Sequence, residues 1–137
     1  MTKQEFLTYL PKHTSGILST IGADGTPDGR GFEFQYEEND RYYFGTANTK
    51  DVWKQLAANP KAAFTYMEPT GKFTVRIHGD IHIITDQAEK KAVFDRIDPL
   101  VQKMYKSFDN PVFELIYFDH PTCRLAKGFG TSKLVAD

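Results

Sequence analysis

The Asp24-Gly25 pair is the tightest local constraint in the chain. It lies in GADG between two strand-like runs, GILSTI (16–21) and GRGFEFQY (29–36), and it supplies the positive φ that a short hairpin turn requires. The second run alternates. Arg30, Phe32, Phe34 and Tyr36 are expected on one face, with Glu33, Gln35 and Glu37 on the other. Such a strand pairs antiparallel with its neighbour, so the fold begins as a hairpin rather than as a strand feeding a crossover helix.

The rest of the sequence extends that start. EEND turns the chain into a third strand, RYYFGT; AAFTYM and FTVRIHGDIHII come next as strands four and five around EPTGK; VFELIYF and CRLAKGF close the chain around DHPT. Gly79, inside the fifth strand, marks a bulge or a close backbone approach. Thr2 with Glu5, and Asp86 with Glu89, have capping-box spacing and predict helices running to about Leu10 and about Arg96. Asp98-Pro99 opens a further helical piece to about Lys106. Seven short strands with three or four helices predict one α+β domain over 1–137, built on an antiparallel sheet or barrel. Neither G-x-G-x-x-G nor G-x-x-x-x-G-K-[ST] occurs, which removes nucleotide binding by those loops.

Charge and composition narrow the function. The formal net charge is −1 with 17 basic and 18 acidic residues, so no long polyanion and no anionic membrane surface is an expected partner. The sequence has no apolar run of the roughly 20 residues that a membrane span needs. One cysteine, Cys123, excludes an internal disulfide, and the first ten residues lack the pattern of a secretory leader; a cytoplasmic setting is the expectation.

The stretch TANTKDVWKQLAANP (46–60) carries the main chemical signal. Thr46, Asn48, Thr49 and Lys50 stand between a strand end and the start of a helix, where backbone N–H groups lack intrahelical partners. Two readings stay open. In one, Asn48 or Thr49 caps the helix, Asp51 answers its dipole and Lys50 is merely solvated. In the other, hydroxyls, N–H groups and the ammonium hold a terminal phosphate, with the Asp51 side chain turned away. Arg30, among the aromatics of the second strand, either snorkels to solvent or meets a buried anion. A phosphate shared by Lys50 and Arg30, next to a flat ring system on the strand backbone, would account for both clusters.

These pieces carry a family resemblance over about Gly16 to Leu125. ILSTIGADGTPDGRGFEF, DRYYFGTANTKDVWKQLAANPKAAF, FTVRIHGDI and PVFELIYF are similar to the pyridoxamine-5′-phosphate-oxidase-like family of FMN-binding split barrels, in a small or nitroimidazole-reductase-related branch. The most specific match is Thr49 and Lys50 with Leu56, Asn59 and Pro60 after them. The resemblance implies an antiparallel Greek-key split β-barrel with flanking helices, working as a homodimer with FMN at the subunit interface. It implies that Lys50 and Arg30 hold the flavin phosphate. Thr46, Asn48 and Thr49 would line the loop, and Gly31, Phe32 and Glu33 would run along the ring. Thr74 stands where true pyridoxamine-phosphate oxidases have a ring-contacting glutamine. Arg30-Gly31-Phe32 replaces the Arg-Pro-Phe of many relatives, and GFGTSKLVAD lacks the Arg-x-His substrate motif, which argues against vitamin B6 oxidation. The implied function is a flavin-dependent oxidoreductase passing electrons from a small donor to a small planar acceptor. The alternative is a flavin- or haem-binding sensor or store of the same fold. No catalytic side chain is named, because the isoalloxazine carries the electrons.

His78, Asp80 and His82 share one face of the fifth strand at i, i+2 and i+4; a solvated face is the simpler reading than a metal site. Val52, Trp53 and Leu56 read as helix core, and Cys123 as a buried thiol.

Overall fold

Short antiparallel pairings build nearly all of the molecule. The computed structural model describes residues 1–136. Helix α1 (Lys3–Leu7) is capped by Thr2, whose hydroxyl accepts from the Glu5 N–H. Strands β1 (Ser15–Ile21) and β2 (Pro27–Glu38) make the expected hairpin, with Gly25 at φ 83°. β3 (Arg41–Ala47) is next, and α2 (Asp51–Ala58) leads to β4 (Lys61–Met67) and β5 (Phe73–Ile83). Then come α3 (Gln87–Phe94), capped by Asp86, and α4 (Pro99–Tyr105), capped by Asp98. β6 (Phe113–Asp119), β7 (Thr122–Lys127) and the two-residue β8 (Lys133–Leu134) complete the chain.

Strand order is β4-β1-β2-β3-β6-β5-β7-β8, and β4 also pairs with β5. Six strands therefore close into an antiparallel barrel, with β7 and β8 continuing from β5. β5 serves both by changing partners along its length: Phe73–His78 pair with β7 and Ile81–Ile83 with β6. The result is an α+β split barrel with helices packed around it. Among the described residues no helix is long and apolar enough to cross a membrane.

Two apolar clusters flank the barrel wall. Inside, Phe44 is surrounded by Phe32, Phe34, Phe64 and Phe118 at ring-centroid distances of 5.1 to 6.2 Å. Outside β3 and β6, Tyr36, Tyr43, Phe94, Ile97, Phe113 and Leu115 pack under α3 and α4. Each aromatic side chain contributes a large buried area, and tilted or edge-on pairs add to it.

Four expectations change. The strict alternation in β2 ends at a bulge between Phe34 and Tyr36. One unpaired residue, Gln35, reverses the facing of the rest of the strand; Tyr36 therefore leaves the face of Phe32 and Phe34 and stacks on Tyr43 at 4.8 Å in the outer cluster. Buried Gln35 is satisfied, donating to Glu33 and accepting from the Asp98 N–H. Gly79 carries no bulge: the β4–β5 register runs unbroken from Lys61↔Asp80 to Met67↔Thr74, and Gly79 lies instead where β5 exchanges β7 for β6. The first helix stops at Leu7 and continues only as turns to Leu10. The described residues form eight strands, because β8 is too short to leave a periodic signal.

Candidate functional site

β2 and the start of α2 face each other across an open cleft of about 310 Å³ lined by Asp28, Gly29, Arg30, Gly31, Phe32, Lys50, Asp51 and Val52. Arg30 and Lys50, 20 residues apart in sequence, thus reach one space. Alternation on β2 places Gly29 and Gly31 on the outer face, opposite Ser19 and Ile17 of β1. A Cβ added at Gly31 would meet nothing within 4 Å. The strand backbone is therefore open to a flat group at Gly31, whereas at Gly29 the Ile17 and Ser19 side chains already fill that side.

Arg30 is held by neighbours on three elements. Its Nη1 donates to the Leu18 carbonyl at 3.1 Å, to Thr20 Oγ1 at 2.7 Å and to the Asp28 carbonyl at 3.2 Å. Its Nη2 donates to Asp28 Oδ2 at 3.2 Å and Gln55 Oε1 at 3.0 Å. Gln55 also donates to Asp28 at 3.0 Å and accepts from the Thr20 hydroxyl. This network fixes the guanidinium at the junction of β1, β2 and α2, with 23% of its side chain exposed at the cleft. Snorkelling into open solvent does not describe it. The sequence does not single out Thr20, Asp28 or Gln55; the strand parity of Thr20 with Leu18 is the one local signal.

The helix mouth departs from the capping expectation. Lys50, in extended conformation, is the N-cap of α2 and makes no side-chain cap hydrogen bond. Neither Asn48 nor Thr49 caps. Asn48 Nδ2 instead donates to the Pro111 carbonyl and to Glu114 Oε2, both at 2.8 Å, so its amide ties the loop to the segment entering β6. Glu114 in turn stands 3.8 Å from the buried Lys90 ammonium, which donates to the Phe113 carbonyl at 2.7 Å. Thr49 and Lys50 are exposed. Without a capping side chain, the Asp51 and Val52 N–H groups of α2 are left to solvent or a ligand at the positive end of the helix dipole, while the Trp53 N–H donates to the Lys50 carbonyl at 3.2 Å. Asp51 is itself among the residues lining the cleft.

The other expected residues do not line the cleft. Thr46 is 1% exposed, and its hydroxyl has no hydrogen-bond partner among the described residues. Glu33 lies one outer-face position beyond Gly31, opposite Ser15. Its carboxyl is raised above its ordinary range, chiefly by burial and partly by Asp98; the Leu100 N–H at 2.9 Å lowers Asp98. Thr74 is on β5, paired with Met67 and Ala126, away from the lining residues. His78, Asp80 and His82 keep one face but take separate neighbours: Asp80 pairs with Lys61 at 3.5 Å, and His82 stacks on Tyr117 at 5.3 Å.

Residues 2–119 match the family model described as pyridoxamine 5'-phosphate oxidase. The chain belongs to the pyridoxamine 5'-phosphate oxidase family. Its match to a pyridoxine/pyridoxamine 5'-phosphate oxidase of Pseudomonas paraeruginosa is 32% identical over 87 residues, covering 64% of this chain and 40% of the relative. The chain thus spans well under half the length of that curated relative. Two solved structures show the same fold. A NimC/NimA family protein from Clostridium acetobutylicum superposes with TM-score 0.79 at 22% identity, over 96% of this chain and 90% of the other. A pyridoxamine 5'-phosphate oxidase-related, FMN-binding protein from Nostoc punctiforme does so with TM-score 0.66 at 16% identity, over 95% and 91%. In this pyridoxamine 5'-phosphate oxidase family member, the cleft between Arg30 and Lys50 falls inside the matched segment.

Proposed function

We propose that the chain binds FMN in the Arg30–Lys50 cleft and acts as a flavin-dependent oxidoreductase on a small planar acceptor. The observation that carries this reading is that two cations from separate elements line one cleft beside the bare backbone at Gly31. The residues fit a terminal phosphate and a flat ring. Lys50 and the uncapped α2 N–H groups offer donors, Arg30 is preset by Thr20 and Gln55, and the orphaned Thr46 hydroxyl lies at the strand end leading into the loop. A bound flavin supplies the electron transfer, while the protein supplies binding, orientation and exclusion of water.

Asp28 and Asp51 oppose a dianion in the same space, which gives the reading a signed test. Arg30→Ala and Lys50→Ala should each weaken FMN by about 1.5–3 kcal/mol, since each removes a charge-assisted contact. Asp51→Asn should tighten it. A colourless protein that takes up no added FMN in fluorescence titration would refute binding. Steady NAD(P)H oxidation with an added quinone or nitroaromatic would support catalysis. We also place the working form as a homodimer joined on the outer sheet face, where Ile17 and Met67 are 47% and 61% exposed; sedimentation as a monomer would overturn that part.

A further inference from the structure

The turn that carries Lys50 is held from the far end of the chain. The Lys50 N–H closes it on the Ala47 carbonyl at 3.1 Å. Asn48, inside the turn, makes three bonds to the segment entering β6. Its backbone N–H donates to the Val112 carbonyl at 2.9 Å, and its side-chain amide donates to the Pro111 carbonyl and to Glu114 Oε2, both at 2.8 Å. Both amide hydrogens are thereby used, which fixes the plane of the side chain and with it the turn.

Glu114 divides its oxygens between two neighbours. Oε2 accepts from Asn48, and Oε1 lies 3.8 Å from the ammonium of buried Lys90, which supplies the counter-charge from α3. A bond to an ionised acceptor is stronger than a neutral one, and away from water it is screened less. Lys50 and the free Asp51 and Val52 N–H groups all follow Asn48 within four residues, and Lys50 makes no side-chain cap bond that would place the turn by itself. A turn that is already ordered loses little freedom when a phosphate docks on it; a loose one must be ordered first, at a loss of affinity.

Resting on the reading of the cleft as a flavin-phosphate site, we infer that Asn48 and Glu114 are positioning residues that set its preference for phosphorylated over unphosphorylated flavin. Their side chains bond to protein and act through the turn. Fluorescence titration of the full chain with FMN and with riboflavin separates this role from a contribution to stability alone, since a partly unfolded variant loses both ligands in equal proportion. Asn48→Ala and Glu114→Ala should each lower the ratio of FMN to riboflavin affinity about tenfold, with riboflavin binding within about twofold of the parent. Glu114→Gln, whose amide oxygen still accepts from Asn48, should keep the ratio within about threefold. Asn48 is only half-buried, so its variant remains measurable should Glu114→Ala fail to fold. A parent that binds no FMN, or binds it no tighter than riboflavin, would overturn the phosphate reading and this inference with it. A parent that prefers FMN, with alanine variants that keep its ratio or a Glu114→Gln variant that falls as far as Glu114→Ala, would overturn this inference alone.

Discussion

Lys90→Met removes the charge that anchors the loop ahead of α2 while keeping most of the side-chain stem. The Lys90 side chain is 9% exposed and that of Glu114 18%, so the pair is largely out of water. The substitution deletes one charge-assisted hydrogen bond, 2.7 Å to the Phe113 carbonyl, worth about 1.5–3 kcal/mol. It also leaves Glu114 with the Asn48 amide as its remaining hydrogen-bond partner among the described residues, which adds about 1 kcal/mol of uncompensated burial. The expected loss is about 2–4 kcal/mol in urea unfolding, or roughly 5–15 °C in melting temperature for a chain of this size. Lys90→Met combined with Glu114→Gln should recover about 1 kcal/mol of this, because the stranded charge is gone. Amide exchange at Asn48–Lys50 should accelerate in the single variant. A loss below about 1 kcal/mol, or strict additivity in the double variant, would show that the pair does not hold the loop.

Two glycines separate packing from ligand access. Gly16→Ala should cost about 1–3 kcal/mol, because its Cβ would fall 2.6 Å from both the Phe64 ring and the Thr65 carbonyl; Gly31→Ala should leave stability unchanged or slightly raised while weakening FMN. Urea curves and flavin titrations read the two effects apart. Burial pushes the Cys123 thiol up to about 11, so a disulfide reagent at pH 8 should label the unfolded chain and spare the native one. Glu33 and Asp98 predict opposite acid responses. Glu33, raised in the folded state, contributes stability below its unfolded value that is lost as pH rises through the folded one. Asp98, lowered, contributes stability above its unfolded value that is lost on acidification through the folded one. Glu33→Gln should therefore raise neutral-pH stability with little gain near pH 3, and Asp98→Asn should do the reverse, both measured by denaturation against pH.

Local chemistry is legible where it is dictated locally. Gly25, Thr2, Asp86 and Asp98 announce their turn and caps because each acts within four residues of itself. The Gln35 bulge is not legible, since QY continues a regular alternation and only the opposing Tyr43 and Asp98 show that Tyr36 belongs to another cluster. At the site, Arg30 and Lys50 are recognisable as charges in search of an anion, and the topology brings both to one cleft. Asn48 reads as a cap and is not one, because its partners, Pro111 and Glu114, come from the far end of the chain. Sequence adjacency favours the cap; tertiary pairing decides otherwise.

The pairing pattern of the barrel also orders its assembly. β1–β2, β2–β3, β4–β5 and β7–β8 join consecutive strands, whereas β1–β4, β3–β6 and β5–β7 join segments distant in the chain. Isolated hairpins form in about 1–10 μs, but distant pairings must first overcome the entropy of closing long loops. The chain is therefore expected to zip first as two units, β1–β3 before α2 and β4–β5 after it, with closure of the β1–β4 and β3–β6 seams setting the folding rate. Helix α2 is the hinge pin between those units. The cleft beside Lys50 takes shape only when the closing β1–β4 seam has carried the helix against the first hairpin, where Gln55 meets Thr20 and Arg30.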